Sequence, residues 1–234
     1  MKIAIMQPYF APYLGYFQLI HAVDKFVFLD DVNFISRGWV NRNRILRDGD
    51  AMLFSVPLAN ASRNSLIKNT AINHQEYEKF WNKFRKTLML NYKRTPFFEE
   101  VFEIFCQLFE KKHEAISNLA IDCIYSVLEY LDFDKNLIIA SERYRNTELK
   151  GADRLIDICK QEGCDIYVNA IGGQDIYQKK YFEEQGVHLK FLKSGAIEYK
   201  QFDKEFVPWL SIIDVLMLNS PQSIKQMINN YKLI

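Results

Sequence analysis

Polar side chains follow three predicted strands of this sequence, at the points where apolar runs end. The candidates are Gln7, Tyr9, Asp30, Asp31, Asn33, Asn169, Gly172, Gly173, Asp175 and Tyr177. In a parallel sheet the carboxyl ends of the strands meet at one edge, where loops and helix N-termini form a crevice. We therefore expect these residues to line a ligand site. The alternative is that they lie where the chain meets water, as polar residues after buried strands often do.

The segment AIGGQDIY (170–177) is typical of a strand end, a glycine pair and the start of a helix. Free N–H groups at such a start could hold an anion. A tight turn would explain Gly172 and Gly173 equally well.

The segment MQPYFAPYLGYFQLI (6–20) combines two prolines, three tyrosines and a glycine between a strand and a helix. Pro8 and Pro12 fix the backbone, and Gly15 allows close approach of another backbone or a ligand. We predict Tyr9, Tyr13, Gly15 and Tyr16 as binding residues. Tyr13-x-Gly15-Tyr16 also has the spacing of the H-x-G-H signature of nucleotidyltransferases. Tyrosine cannot carry the imidazolium charge of those enzymes, so their chemistry does not transfer.

The segment SRGWVNRNRILR (36–47) is rich in arginine, and we predict it as a loop after the second strand. Its candidate binding residues are Arg37, Trp39, Asn41, Arg42 and Arg44. Arginine and asparagine suit a phosphate, a carboxylate or a sugar, and tryptophan suits stacking on a sugar or base. The alternative is a solvated loop that pairs with nearby aspartates and is anchored to the core by Trp39.

Alternating strand and helix patterns predict the fold that must position these residues. Strands are predicted at 2–6, 25–29, 51–58, 137–140, 165–170 and 187–192, with helices at 13–22, 151–162, 212–218 and after 221. Such alternation indicates an α/β fold with a mostly parallel, Rossmann-like sheet and helices on both faces. Apolar residues at helical spacing within 76–130 predict an α-helical insert, which leaves 1–75 plus 131–234 as the core domain.

Composition limits the classes of function. The chain has 234 residues, of which 49% are hydrophobic and 25% charged, and its net charge is +1. No overall positive field favours nucleic acid, and no apolar run suggests membrane insertion. Four cysteines without a CxxC pair and the lack of a signal peptide predict a reduced, cytoplasmic protein. No metal signature is present and no cofactor is indicated.

Four blocks together resemble the WbqC-like protein family of bacteria. They are MQPYFAPYLGYFQLI, DKFVFLDDVNFISRGWVNRNRI, GADRLIDICKQEGCDIYVNAIGGQDIY and FVPWLSIIDVLMLNSP. Genes of this family occur in clusters for O-antigen, the lipopolysaccharide side chain, and other surface polysaccharides, which implies work on an activated amino sugar. The 76–130 block is the least recognisable part. The segment VNAIGG also departs from the expected LSGPGG, so Asn169 replaces a serine and a catalytic hydroxyl there is in doubt.

The resemblance implies a transferase that moves an acyl or aminoacyl group, with glycyl as one candidate, to a nucleotide-linked amino sugar. Asp30 or Asp31 would be the base, and Asn169 with the diglycine amides would hold the oxyanion. Arg42 and Arg44 would hold phosphate. The alternatives are a non-catalytic protein that binds nucleotide sugars or acts as a scaffold, and a degenerate nucleotidyltransferase-like enzyme. The expected partner is a small molecule of the nucleotide-sugar class, and the sequence does not determine the oligomeric state.

Overall fold

Short apolar segments rich in β-branched residues form the strands of this protein. The structure, a computed structural model, describes residues 1–59, 61–202 and 205–234. The strands are β1 (Lys2–Met6), β2 (Lys25–Phe28), β3 (Arg42–Arg47), β4 (Asp50–Ser55), β5 (Asn136–Ile139), β6 (Ile166–Ala170), β7 (His188–Ser194) and β8 (Tyr231–Leu233).

Six of these strands form the central sheet, in the order β5-β2-β1-β6-β7-β8. The first five are mutually parallel, and only β8 pairs antiparallel with its neighbour, β7. The predicted α/β fold with a mostly parallel sheet is therefore confirmed. The carboxyl ends of β1, β2, β5, β6 and β7 share one edge of the sheet, as the sequence analysis required.

Helices cover both faces of the sheet. They are α1 (Leu14–His21), α2 (His74–Tyr92), α3 (Phe98–Glu110), α4 (Ile116–Tyr130), α5 (Ala140–Arg143), α6 (Gly151–Gln161), α7 (Lys179–Glu184), α8 (Ile212–Leu218) and α9 (Pro221–Asn229). Because side chains alternate along a strand, Ala4 faces the core formed with α1 to α4, α8 and α9, whereas Ile3 and Ile5 face the core formed with α5 to α7.

The helices α2, α3 and α4 follow one another within the block predicted to be helical. The side chain of Asn73 caps α2 by accepting a hydrogen bond from the Glu76 amide. Trp81 of α2 stacks on Phe109 of α3 at 4.2 Å between ring centroids. The buried residues of these helices belong to the same core as α1 and α8. The division of the chain into a core domain and an insert at 76–130 stays a prediction.

The arginine-rich segment is the main difference from the predicted elements. Instead of a loop, Arg42–Arg47 forms β3, which pairs antiparallel with β4. Asp48 and Gly49 make the two-residue connection with φ values of +52° and +89°. Both values suit a hairpin turn, and Asp-Gly is a sequence favoured there. The local signal for the hairpin was therefore present, but the density of polar residues favoured a loop.

A 3₁₀ turn at Ile67–Asn69 lies between β4 and α2. The helix start predicted directly after the glycine pair differs from the observed structure. The glycine pair lies within another 3₁₀ turn, Ile171–Asp175, and the following helix α7 begins only at Lys179.

Candidate functional site

The turn between β1 and α1 is held in an unusual conformation. Ala11 is fully buried with φ +45°, a left-handed value that alanine rarely adopts. Its carbonyl oxygen accepts hydrogen bonds from Asn43 Nδ2 at 2.6 Å and from Ser211 Oγ at 2.7 Å. The Ile212 amide donates to the Pro12 carbonyl at 2.7 Å. Two distant elements therefore fix the turn, and strain of this kind is common at functional sites.

A row of aromatic rings extends from this turn. Ring centroids of Tyr9 lie 6.4 Å from those of both Trp39 and Tyr13, and Tyr13 lies 5.7 Å from Trp209. Tyr16 packs edge-on against Tyr9 at 6.2 Å and donates to the Gln7 carbonyl at 2.9 Å. We call Trp39, Tyr9, Tyr13 and Trp209 the aromatic row.

Gly15 is required by the aromatic row. A Cβ atom at this position would overlap the Tyr13 ring. The group that approaches Gly15 closely, as predicted for this position, is therefore the side chain of Tyr13. The absence of a side chain lets the Tyr13 ring lie against the first turn of α1.

Two arginines of β3 lie over one end of the aromatic row. The guanidinium carbons of Arg42 and Arg44 are 5.5 and 5.7 Å from the centre of the Trp39 ring. Arg42 Nε donates to the Gly38 carbonyl at 2.7 Å, and its Nη2 donates to the Arg37 carbonyl. These bonds secure the preceding loop.

One hydrogen-bond donor of Arg44, its Nε, lacks an acceptor in the described chain. Its Nη2 reaches the Trp209 carbonyl at 3.4 Å, whereas its Nε is buried and finds no hydrogen-bond partner within the described chain. Burial raises the pKa of the Tyr9 hydroxyl, and the nearby charges of Arg44 and Arg42 oppose that rise. A buried cationic donor without an acceptor is costly, and an anionic group of a ligand would satisfy it.

The other end of the aromatic row opens into a cavity of about 400 Å³. It lies between the start of α1, the end of β7 and the segment before α8. The lining includes Tyr13, Leu14, Gly15, Ser194, Gly195, Ala196, Ile197, Glu198, Tyr199, Phe206, Pro208, Trp209, Leu210 and Val215. We call it the aromatic cavity. Trp209 lies at the edge of the aromatic cavity. Its side chain is 61% exposed, and its backbone is left-handed, with φ +60°.

A buried carboxylate, Asp214 of α8, lies behind this cavity. Tyr92 and Tyr199 each donate a hydroxyl hydrogen bond of 2.6 Å to one of its oxygens, and Gln201 Nε2 donates at 3.1 Å. Burial raises the pKa of Asp214, against the effect of these three donors. No ion pair with Asp214 occurs in the part of the chain that the structure describes. The sequence analysis missed this residue, although a lone acid within the apolar segment SIIDVLML is a signal that could have identified it.

Asp30 and Asp31 have partners on the other side of the sheet. Asp30 accepts from the amide and the hydroxyl of Ser141 at 2.9 and 2.6 Å. Both Asp31 oxygens accept from Arg154 Nη2, at 2.8 and 2.7 Å, and both side chains are buried. Arg154 Nε also donates to Asn146. These bonds tie the end of β2 to α5 and α6, and sequence reasoning identified neither partner.

The diglycine segment forms a third group at the same edge of the sheet. Asn169 Oδ1 accepts from the Ala170 amide at 2.8 Å, and its side chain packs so closely on Gly173 that a Cβ atom there would clash. Gly172 faces open space. The Tyr177 amide donates to the Gly173 carbonyl at 2.9 Å, and Asp175 is exposed. Asn169 therefore packs against Gly173, and the role of this segment in binding stays a prediction.

The predicted binding residues thus divide into groups. The turn and hairpin bring together Gln7, Tyr9, Tyr13, Gly15, Tyr16, Arg37, Trp39, Arg42 and Arg44. Asn41 donates to the Val56 carbonyl at 2.8 Å and so stabilises the hairpin. Asn33 is exposed and bridges Leu66. Trp209, Glu198 and Tyr199 were not predicted, because nothing local in the sequence relates their loop to the first turn.

The described residues contain neither a metal-binding cluster nor a membrane-spanning helix. No group of three or more His, Cys, Asp or Glu side chains there is arranged to hold a metal ion. None of the helices in the described ranges has the length and apolar character needed to cross a membrane.

Comparison with known proteins identifies the family. An uncharacterized protein of Mycobacterium tuberculosis, Rv1507c, is 28% identical over 219 residues, which cover 92% of each chain. No solved structure matches the chain. The profile of the WbqC-like protein family matches residues 7–226, which include the turn, the hairpin and the aromatic cavity. Membership supports an association with polysaccharide gene clusters, and the chain belongs to the WbqC-like protein family.

Proposed function

We propose that this protein is a cytoplasmic transferase of bacterial surface-polysaccharide assembly. It transfers an acyl or aminoacyl group, with glycyl as one candidate, to an amino sugar carried on a nucleotide. The observation that carries the proposal is Arg44, whose buried Nε lacks an acceptor in the described chain while its guanidinium lies over Trp39. Such a donor beside exposed aromatic rings suits a phosphate joined to a sugar or base.

The proposed ligand extends along the aromatic row. Arg44 and Arg42 hold the diphosphate, and Tyr9 and Trp39 contact the sugar or the base. The strained turn at Ala11 keeps these groups in place before the ligand arrives, which reduces the ordering cost of binding. The aromatic cavity, at the far end of the row, is left for the group that is transferred.

The transfer step needs a base and an acceptor for negative charge. The amine nitrogen attacks the carbonyl carbon of an activated acyl donor, such as a thioester or a mixed anhydride. A C–N bond forms, the base takes a proton from nitrogen, and the donor's leaving group departs with the electron pair of the broken bond. Asn169 and the Gly172 and Gly173 amides are the proposed donors to the oxyanion.

Asp30 and Asp31 remain the bases proposed from the sequence. Each already accepts two hydrogen bonds, from Ser141 and from Arg154. The base role therefore requires that substrate binding displace one of these partners. Asp31→Asn should abolish turnover and leave nucleotide-sugar binding largely intact. Unchanged turnover in this variant would end the assignment.

The occupied carboxylates also favour a second function, a non-catalytic protein that binds nucleotide sugars in the same pathway. Incubation with nucleotide-linked amino sugars, ATP and amino acids distinguishes the two functions. A mass increase of the sugar supports the transferase. Tight binding without a mass change supports the second function.

Binding itself is tested by thermal unfolding with a panel of UDP- and dTDP-linked amino sugars. At least one should raise the melting temperature of the wild type by several degrees, since a ligand that binds only the folded state stabilises it. Arg44→Met should remove this shift. Arg85→Met, which removes an exposed arginine of α2, is the matched control. No shift with any member of the panel would contradict the proposal.

A further inference from the structure

The aromatic cavity has a composition that the proposed phosphate contacts do not use. Four of the residues that line it are Tyr13, Trp209, Tyr199 and Phe206. They form two edge-to-face pairs, Tyr13 with Trp209 at 5.7 Å and Tyr199 with Phe206 at 5.3 Å between centroids. Rings at steep angles present their faces in different directions. A cation enclosed by such faces is attracted by their negative electrostatic potential.

The charged groups beside the cavity include two acids, Glu198 and Asp214, and Arg44, whose Nη2 reaches the carbonyl of the lining residue Trp209 at 3.4 Å. Glu198 is the charged residue in its described lining. Asp214 lies one hydrogen bond behind the wall, because the Tyr199 hydroxyl donates to it at 2.6 Å. Tyr92, Tyr199 and Gln201 all act as donors to Asp214, which matches the acceptor-only role of an ionised carboxylate. Gln201 also accepts from the Val207 amide at 2.7 Å, which fixes the orientation of its amide.

Asp214 therefore differs from an ordinary buried acid. A buried charge is normally paired with an opposite charge, because desolvation is otherwise costly. The hydrogen-bond donors that face Asp214 are neutral, and Val215, the next residue, lines the cavity. A cation in the cavity would supply the missing opposite charge.

We propose that the aromatic cavity binds an organic ammonium ion, enclosed by the rings of Tyr13, Trp209, Tyr199 and Phe206 and attracted by Glu198 and Asp214. The inference deepens the proposed function and rests on it for the identity of the ligand, because an aminoacyl group carries an ammonium group. The cavity is adjacent to the proposed sugar site, since the Tyr13 ring lines the cavity and lies 6.4 Å from the Tyr9 ring.

The test uses two small probes of nearly equal shape, glycinamide and propionamide, which differ in the replacement of the ammonium group by a methyl group. Binding to the full-length protein is measured by ligand-observed NMR at pH 6.5. Glycinamide should bind about tenfold more tightly than propionamide, from cation–π and charge attraction. Equal binding of the two probes, or preference for propionamide, would overturn the inference and identify an apolar pocket.

Three variants test which side chains cause the preference for glycinamide over propionamide. Glu198→Gln and Asp214→Asn each remove one charge, and Trp209→Leu removes one ring. Each should reduce the preference for glycinamide severalfold. Glu183→Gln, the same chemical change on exposed α7, is the control. Because Glu198 and Trp209 are exposed, their variants remain informative if Asp214→Asn fails to fold. An unchanged preference in both of these variants would refute the site.

The result is separable from the test of the proposed function. Arg42→Met should leave glycinamide binding unchanged while it weakens the response to nucleotide sugars, because the described bonds of Arg42 reach Gly38 and Arg37 and not the cavity. If glycinamide binds but no nucleotide sugar does, the ammonium site stands and the proposed acceptor is wrong. If nucleotide sugars bind but the two amide probes bind equally, the acceptor stands and the ammonium site is wrong.

Discussion

Asp31 and Asp214 are both buried carboxylates, but one lies opposite a charge and the other does not. Arg154 donates to both oxygens of Asp31 and continues to Asn146, so this carboxylate belongs to a closed network. The donors to Asp214 among the described residues are neutral, and this carboxylate lies beside a cavity. The difference is one of compensation: the Arg154 guanidinium balances the charge of Asp31, whereas the described donors to Asp214 carry no charge.

Removing the Arg154 guanidinium from the closed network should have the largest effect on the stability of the protein. Arg154→Ala leaves Asp31 buried without a partner and deprives Asn146 of a donor. We expect the free energy of unfolding to fall by about 3–5 kcal/mol, the usual cost of breaking a buried pair. Urea denaturation monitored by circular dichroism measures this change. A loss below about 1 kcal/mol, typical of an exposed pair, would remove the basis for the comparison.

Glu162 sharpens the comparison, because it is a buried acid with cations nearby. It accepts from Lys25 at 2.8 Å, from Tyr144 at 3.1 Å and from Arg143 at 3.3 Å. Burial raises the pKa of Glu162, but Lys25 and the other donors hold it below its ordinary value of 4.5. The stabilisation is therefore present above that value and is lost as the pH falls through the lower, folded-state pKa.

Glu162→Gln should lower the free energy of unfolding by about 1–3 kcal/mol at pH 7. The difference from the wild type should shrink as the pH is lowered below 4.5. Denaturant titrations at several pH values measure it. A difference that stays constant with pH would show that the charge of Glu162 contributes nothing.

Asp214→Asn should have the smallest effect on stability and the opposite dependence on pH. Because burial raises the pKa of Asp214 above 3.8, its ionisation destabilises the fold as the pH rises through the folded-state pKa. The variant avoids this cost but loses part of the hydrogen bonding, so we expect a net change within about 1 kcal/mol at pH 7.

The sign of this effect is the informative quantity. The stability of Asp214→Asn relative to the wild type should increase between pH 4 and pH 7, opposite to the trend for Glu162→Gln. Parallel trends in the two variants would mean that Asp214 is stabilised as an anion like the paired acids. The contrast between the two kinds of carboxylate would then be lost.

Much of the fold could be predicted from the sequence because its signals are local. The alternation of strands and helices, and the polar residues after β1, β2 and β6, depend on patterns within a few residues. The hairpin carried a local signal as well, in Asp48-Gly49. The density of polar residues nevertheless favours a loop, because Arg42, Asn43 and Arg44 are consecutive and interrupt the apolar–polar alternation of a half-buried strand.

The partners within the site could not be predicted, because they are distant in sequence. Arg154 reaches Asp31 across 123 positions, and Tyr92 reaches Asp214 across 122. Asp30 and Asp31 were correctly placed after a strand, but which groups occupy their oxygens depends on the packing of α5 and α6. Trp209 enters the site through long-range contacts of its segment, such as the pairing of Tyr13 with Ser211.

The turn at Ala11 has a consequence for synthesis of the protein. Its carbonyl is bonded by Asn43 and by Ser211, which lie 32 and 200 positions further along the chain. During translation, the first residues of the site leave the ribosome long before Ser211 has been made. A nascent or truncated chain that ends before this serine would lack one of the bonds that hold the turn. The bonds that hold this turn are therefore completed only after the segment around Ser211 has been synthesised.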